Sequence, residues 1–69
     1  MSDHIYRVTE VVGSSEESVA QAIRNAIARV SRTVRNVEWF EVTETRGAVA
    51  ADGTITFQVG LKVGFRLEG

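Results

Sequence analysis

The sequence contains no cysteine, so no disulfide can staple it, and its single histidine leaves no ligand set for a zinc-type staple. Proline is also missing and loop-type residues are few, which leaves no linker, no low-complexity segment and no boundary at which to divide the chain. Residues 1–69 are therefore read as a single domain. There is no surplus of positive charge: eight Lys and Arg stand against nine Asp and Glu, a formal net charge of −1, and no polybasic run occurs. A general nucleic-acid binder needs a surplus of cations along one face, so no nucleic-acid partner is expected. No apolar run approaches the roughly 20 residues that span a bilayer. The opening MSDHIYRV lacks the charged-then-apolar order and the cleavage site of a secretory signal. No membrane partner is expected, and the expected location is cytoplasmic.

These absences leave a small domain with few means of stabilisation. A chain of this length buries only about 60% of the surface that its unfolded form exposes, and its core is marginal. With staples excluded, the remaining route is association, which buries faces that one copy cannot cover. A homo-oligomer is expected.

The strongest pattern present is the alternation from Thr54 to Leu67. Ile55, Phe57, Val59, Leu61, Val63, Phe65 and Leu67 fall on one side, and Thr54, Thr56, Gln58, Gly60, Lys62, Gly64 and Arg66 on the other. A period of two held for so long predicts a β-strand with one buried face. Upstream, His4 to Val12 is rich in β-branched residues and predicts a strand, with Tyr6, Val8 and Val12 sharing one face. His4 has no second His or Cys to share a metal and is read as a solvated residue near the terminus.

Between these strands lies one amphipathic segment. Ser14 and Glu17 stand at capping-box spacing, which predicts a helix starting near Ser15 with Glu16 and Glu17 in its first turn. Val19, Ile23, Ile27 and Val30, with Ala20, Ala22 and Ala26, form one apolar stripe, expected to cover the odd-numbered face of the last strand. Arg24, Arg29 and Arg32 lie on the opposite side, where cations near the C-terminus complement the helix dipole; an anion site is the alternative reading. Thr33 to Asn36 ends the helix, Asn being a good left-handed terminator.

Val37 to Arg46 reads as a further strand, and Asp52-Gly53 is a strong turn signal. If Phe40 and Val42 join the buried face, paired residue numbers sum to an odd value. A sum of 97 places Phe40 opposite Phe57, Val42 opposite Ile55 and Trp39 opposite Gln58. The fold class expected is α+β: a β-α-β-β protomer whose three-stranded antiparallel sheet, the last strand central, wraps one helix.

The open face then displays Trp39, and leaving a large side chain of this kind in water forfeits roughly 1.5–3 kcal/mol of burial. Its neighbours have a definite chemistry. Gln58 offers an acceptor beside two donors, the pattern that pairs with an imide or pyrimidine edge. Gly60 and Gly64 remove side chains, letting something flat or another backbone approach. Arg46 and Arg66 can bind a phosphate bidentately.

The runs Glu38-Trp39-Phe40-Glu41-Val42, Arg46-Gly47, Phe57-Gln58-Val59 and Lys62-Val63-Gly64-Phe65-Arg66-Leu67-Glu68 resemble the dodecins, as does Tyr6-Arg7-Val8 through Val12-Gly13-Ser14-Ser15. The resemblance covers essentially the whole chain. It implies a hollow homododecamer of β-α-β-β protomers that binds flavins in pairs, stacked between the tryptophans of neighbouring subunits, with the Gln bonded to the pyrimidine edge. Those roles fall on Trp39 and Gln58. Arg46 and Arg66 correspond to arginines near the FMN phosphate, and Glu38 completes the implied cofactor-binding set. FMN is the implied cofactor, with riboflavin or FAD as variants and coenzyme A as a further ligand, the last unsupported by any matching motif around Arg29 and Arg32.

The implied function is storage, sequestration and photoprotection of flavin. No nucleophile and base pair, carboxylate dyad or metal cluster stands out, so neither an enzyme nor a metal site is expected. Glu38, Glu41 and Glu44, which alternate around their strand, read as solvated or interface charges rather than acid-base groups. The competing class is a structural or protein-interaction module in which Trp39 anchors an interface and no ligand binds. A small flavin oxidoreductase would need a substrate opening beside the ring, which a ring covered on both faces lacks.

Overall fold

The computed structural model describes residues 3–68. Its elements run β1 (Tyr6–Ser15), α1 (Val19–Ser31), β2 (Val37–Val49) and β3 (Ile55–Arg66). The sheet order is β1-β3-β2 with both pairings antiparallel, so the strand with the cleanest alternation is the central one. The β-α-β-β order and the central third strand agree with the expectation from sequence.

The helix starts later than its first capping signal. Ser14 and Ser15 still belong to β1, paired with Gln58 and Phe57. The N-cap is Ser18, whose Oγ accepts from the Gln21 backbone N–H at 2.9 Å, while Ser15 Oγ accepts from Glu17 N. Ser18 and Gln21 have capping-box spacing too, and they prevail because the ladder with β3 holds the earlier serines extended. No acidic residue lies in the first helical turn, a correction to the placement of Glu16 and Glu17. At the other end the helix closes at Ser31, capped by Arg32. Asn36 does adopt the left-handed conformation, φ 65°, but at the entry to β2 rather than at the helix end. There its backbone is tied to the end of β3: Arg66 N–H donates to Asn36 O at 3.0 Å.

The core is Ala22, Ala26 and Val30 of α1 against Val59, Leu61 and Val63 of β3, flanked by Val11, Val19, Ile23, Ile27, Val34 and Val37. Small residues face the sheet because the helix crosses β1 at very short range. A Cβ on Gly13 would sit 2.1 Å from the Ala22 carbonyl oxygen and 2.8 Å from Ala26 Cβ, so the site admits only glycine.

The helix packs mainly on β1 and β3, leaving most of β2 uncovered. Phe40 and Val42, on the helix side of β2, therefore stay 46% and 42% exposed, and Ile55 and Val49 at the hairpin end are exposed as well. Ala50 to Thr54 forms the hairpin turn, closed by Ala50 N–H to Thr54 O and Gly53 N–H to Ala50 O, with Gly53 at φ 89° and Asp52 Oδ1 accepting from Thr54 N. That contact lowers the Asp52 pKa.

The register between β2 and β3 differs from the sum of 97. It starts at Val49↔Ile55 and Arg46↔Gln58, passes a β-bulge at Thr43, continues as Val42↔Leu61, Phe40↔Val63 and Trp39↔Gly64, and passes a second bulge at Glu38 before Val37↔Phe65. Trp39 is therefore opposite Gly64, not Gln58. The turn is centred nearer Asp52, as the Asp-Gly pair suggested, and each bulge inserts an unpaired residue that alternation alone does not reveal.

Candidate functional site

The bulges decide what shares the open face. From Trp39 to Val42 the odd residues of β2 point away from the helix, with Trp39 opposite Gly64 and Glu41 opposite Lys62. The extra residue at Thr43 reverses the phase, so the even residues Glu44 and Arg46 join the same face, opposite Gly60 and Gln58. Without that bulge Arg46 would turn to the helix side. The bulge at Glu38 acts similarly and lets two consecutive residues, Glu38 and Trp39, reach one face. β1 adds Tyr6, Val8, Glu10, Val12 and Ser14 across from Arg66, Gly64, Lys62, Gly60 and Gln58.

One end of this face is an aromatic and ionic cluster. The Trp39 indole lies directly over Gly64, where a Cβ would come within 2.0 Å of Trp39 Cε2. The Tyr6 ring meets the indole edge-on, centroids 6.2 Å apart at 64°. Tyr6 Oη donates to Glu38 Oε1 at 3.1 Å, and Glu38 Oε2 pairs with Arg66 Nη1 at 3.3 Å. The hydrogen bond to the Glu38 carboxylate raises the Tyr6 pKa. Trp39 keeps 39% of its surface exposed. One side of the indole is thus seated on the Gly64 backbone, and the ring stays partly open to solvent.

The other end is polar. Arg46 Nε donates to Gln58 Oε1 at 2.9 Å, and Arg46 Nη1 bonds Glu44 Oε1. Gly60 lies under Thr43 and Glu44; a Cβ there would stand 2.8 Å from Thr43 Oγ1.

The structure thus brings Glu38, Trp39 and Arg66 together, and Arg46 with Gln58, but not the two groups with each other. Gly64 and Gln58 are six positions apart on β3, about 20 Å at roughly 3.3 Å per residue. Within one protomer Trp39 and Gln58 cannot grip the same ring. Tyr6 is the member that sequence reasoning left out. Its even-face alternation with Val8 and Val12 was the available signal. Among the described residues, no group of three His, Asp or Glu gathers to hold a metal ion, and no helix is long and apolar enough to cross a membrane.

Comparison with known proteins matches the dodecin family model to residues 5–68. The chain belongs to the dodecin family. A solved dodecin structure from Streptomyces coelicolor superposes with a TM-score of 0.90 at 58% identity, covering 100% of this chain and 99% of that one. The dodecin of Thermus thermophilus is 48% identical over 64 residues, 93% of each chain. The calcium dodecin of Mycobacterium tuberculosis is 32% identical over 64 residues, 93% of this chain and 90% of the relative. The β-α-β-β order with a central third strand is therefore the dodecin fold, and the aromatic cluster and the Arg46–Gln58 pair lie on the open face of a dodecin sheet.

Proposed function

We propose that this dodecin binds flavin, FMN in preference to riboflavin, as a homododecamer that stores and sequesters the flavin and quenches its excited state, with no catalytic activity of its own. The observation that carries the reading is the Trp39 indole, seated on Gly64 and still 39% exposed, with Arg66 held by Glu38, the neighbour of Trp39 in β2. A planar aromatic ligand is the natural cover for such a surface, and a guanidinium at its rim suits a phosphate-bearing tail. The residues present fit a flavin in a further respect: Gln58 has the amide that an isoalloxazine pyrimidine edge needs. Because Trp39 and Gln58 lie at opposite ends of one sheet, the ring is bound between protomers, each contributing one end. Trp39, Gln58, Arg46, Arg66 and Glu38 are the residues assigned to the site. Bound flavin supplies the light-absorbing ring; the protein supplies a nearby indole electron donor.

Self-association has its own support. Phe40 and Val42 on one face of the sheet and Tyr6, Val8, Val12 and Trp39 on the other all remain at least 39% exposed in a single protomer. Apolar surface on both faces is a liability unless further copies cover it.

The relative named for calcium motivates a second reading, in which the ligand is a divalent cation. Titrating the protein with FMN and with calcium, while light scattering records its mass, separates the readings. Flavin quenching by a particle near twelve times the 7.6 kDa protomer mass supports the proposal. Calcium uptake without flavin binding, or a monomer at micromolar concentration, rejects it.

A further inference from the structure

We infer that Arg46 is a positioning residue for Gln58, fixing its amide in the one orientation that turns the NH2 group outward to the ligand. The inference rests on the flavin reading above and goes beyond it, since sequence alone assigns Arg46 only to a phosphate.

The reason lies in the donor inventory. An arginine carries only N–H donors and no acceptor, so whichever amide atom of Gln58 meets it must be the oxygen. Arg46 Nε meets Oε1 at 2.9 Å, directly across the strand pair at the Arg46↔Gln58 register position. The guanidinium is itself held from the other side, its Nη1 on Glu44 Oε1. Glu44, Arg46 and Gln58 thus form a chain of charge-assisted bonds in which each member restricts the next. An unrestrained glutamine amide can flip and offer either end. Here the flip would set two N–H donors against a third, so the outward group is fixed as NH2. The ligand atom that this NH2 meets must be an acceptor, a ring carbonyl or an unprotonated ring nitrogen, while the second lone pair of Oε1 is left for an imide N–H beside it.

The bulge at Thr43 makes this possible, because it alone turns Arg46 and Glu44 onto the face of Gln58. A role purely in phosphate binding gives no reason for Nε to be spent on Gln58.

The two roles differ in which ligand they affect. Riboflavin has the ring and no phosphate. If Arg46 orients Gln58, Arg46→Ala weakens riboflavin by about fivefold, the worth of one hydrogen bond. On a Gln58→Ala background the same replacement changes riboflavin affinity by less than about twofold, the additivity limit for uncoupled sites. Gln58→Glu keeps the acceptor for Arg46 but removes the NH2 donor, and it weakens riboflavin as much as Gln58→Ala does. All these side chains are at least partly exposed, and size-exclusion chromatography of each variant confirms the assembly. An Arg46→Ala protein that loses FMN affinity but not riboflavin affinity overturns the inference. So does an equal loss in both backgrounds, or a Gln58→Glu protein that binds riboflavin normally. A wild-type protein that binds neither flavin overturns the flavin reading and this inference with it.

Discussion

Trp39 and Gly64, partners across β2 and β3, are so close that a methyl group on Gly64 would stand 2.0 Å from Trp39 Cε2 and 2.3 Å from Cζ2. The glycine is what lets the indole lie flat on the sheet. Gly64→Ala must therefore lift or rotate the ring while leaving the ladder intact. The expected outcome is an unchanged far-ultraviolet circular dichroism spectrum, a shifted Trp emission maximum, weakened flavin binding, and a stability loss of about 1–3 kcal/mol from overpacking. A Gly64→Ala protein with wild-type emission and flavin affinity would show that the contact does not set the indole position.

A second glycine serves the fold and not the site. A Cβ at Gly13 would collide with the Ala22 backbone carbonyl at 2.1 Å, and backbone cannot move aside as a side chain can. Gly13→Ala is expected to cost at least about 3 kcal/mol, the upper end of overpacking effects. Gly47→Ala, whose Cβ would meet only Thr56 O at 3.9 Å, should fall within about 0.5 kcal/mol of wild type. Chemical denaturation of both variants, at one protein concentration, measures the contrast. Similar stabilities would contradict the helix placement.

On the flavin proposal, phosphate preference is set by a competition within the cluster. Arg66 already has an anion, Glu38, at 3.3 Å, which a flavin phosphate bound there would have to share or replace. FMN should bind more tightly than riboflavin, and the gap should shrink as salt rises. Arg46→Ala combined with Arg66→Ala should bring the two affinities together. Glu38→Gln should act in the opposite sense, raising the ratio of FMN to riboflavin affinity by about two- to threefold, since an exposed ion pair is worth at most about 1 kcal/mol. Isothermal titration of both ligands at two salt concentrations checks all three statements. Equal affinities in the unmodified protein would remove the phosphate from the account.

Much of the fold was legible because β3 states it plainly: a strand that alternates from Ile55 to Arg66 has one face to bury, and the amphipathic helix α1 is there to cover it. The order β1-β3-β2 followed from connection rules. Three features were not legible. Ser14-x-x-Glu17 and Ser18-x-x-Gln21 are equivalent capping signals locally, and only the pairing of Ser14 and Ser15 with β3 selects the second. The helix was expected to cover the sheet, but its crossing point is set by the Gly13 contact, which draws it toward β1 and leaves Phe40 bare. The β2–β3 register was missed because the bulges at Thr43 and Glu38 shift the pairing twice. A period-two pattern records which face a residue takes, not how many residues a partner strand skips.

The same bulges explain why the sequence named the candidate residues but not their arrangement. Trp39, Arg66 and Glu38 do converge, and Arg46 does meet Gln58, yet the pairing of Trp39 with Gln58 expected within one sheet is replaced by a separation of six positions along β3. What reads in sequence as one candidate site is in the protomer two separate clusters. Tyr6, which holds both Trp39 and Glu38, entered only when β1 was placed beside β3.

The most direct test of the central claim is a titration of FMN fluorescence with wild-type protein and with Trp39→Ala, each followed by size-exclusion chromatography. An indole stacked on the ring adds roughly 0.5–1.5 kcal/mol to the burial of area, and as an electron donor it quenches the excited flavin. The account predicts strong quenching by the wild type, and for Trp39→Ala weak binding, unquenched emission from whatever flavin still binds, and an intact oligomer. Wild-type protein that leaves FMN fluorescence unchanged, together with a Trp39→Ala protein that dissociates, would contradict it and make Trp39 a packing anchor.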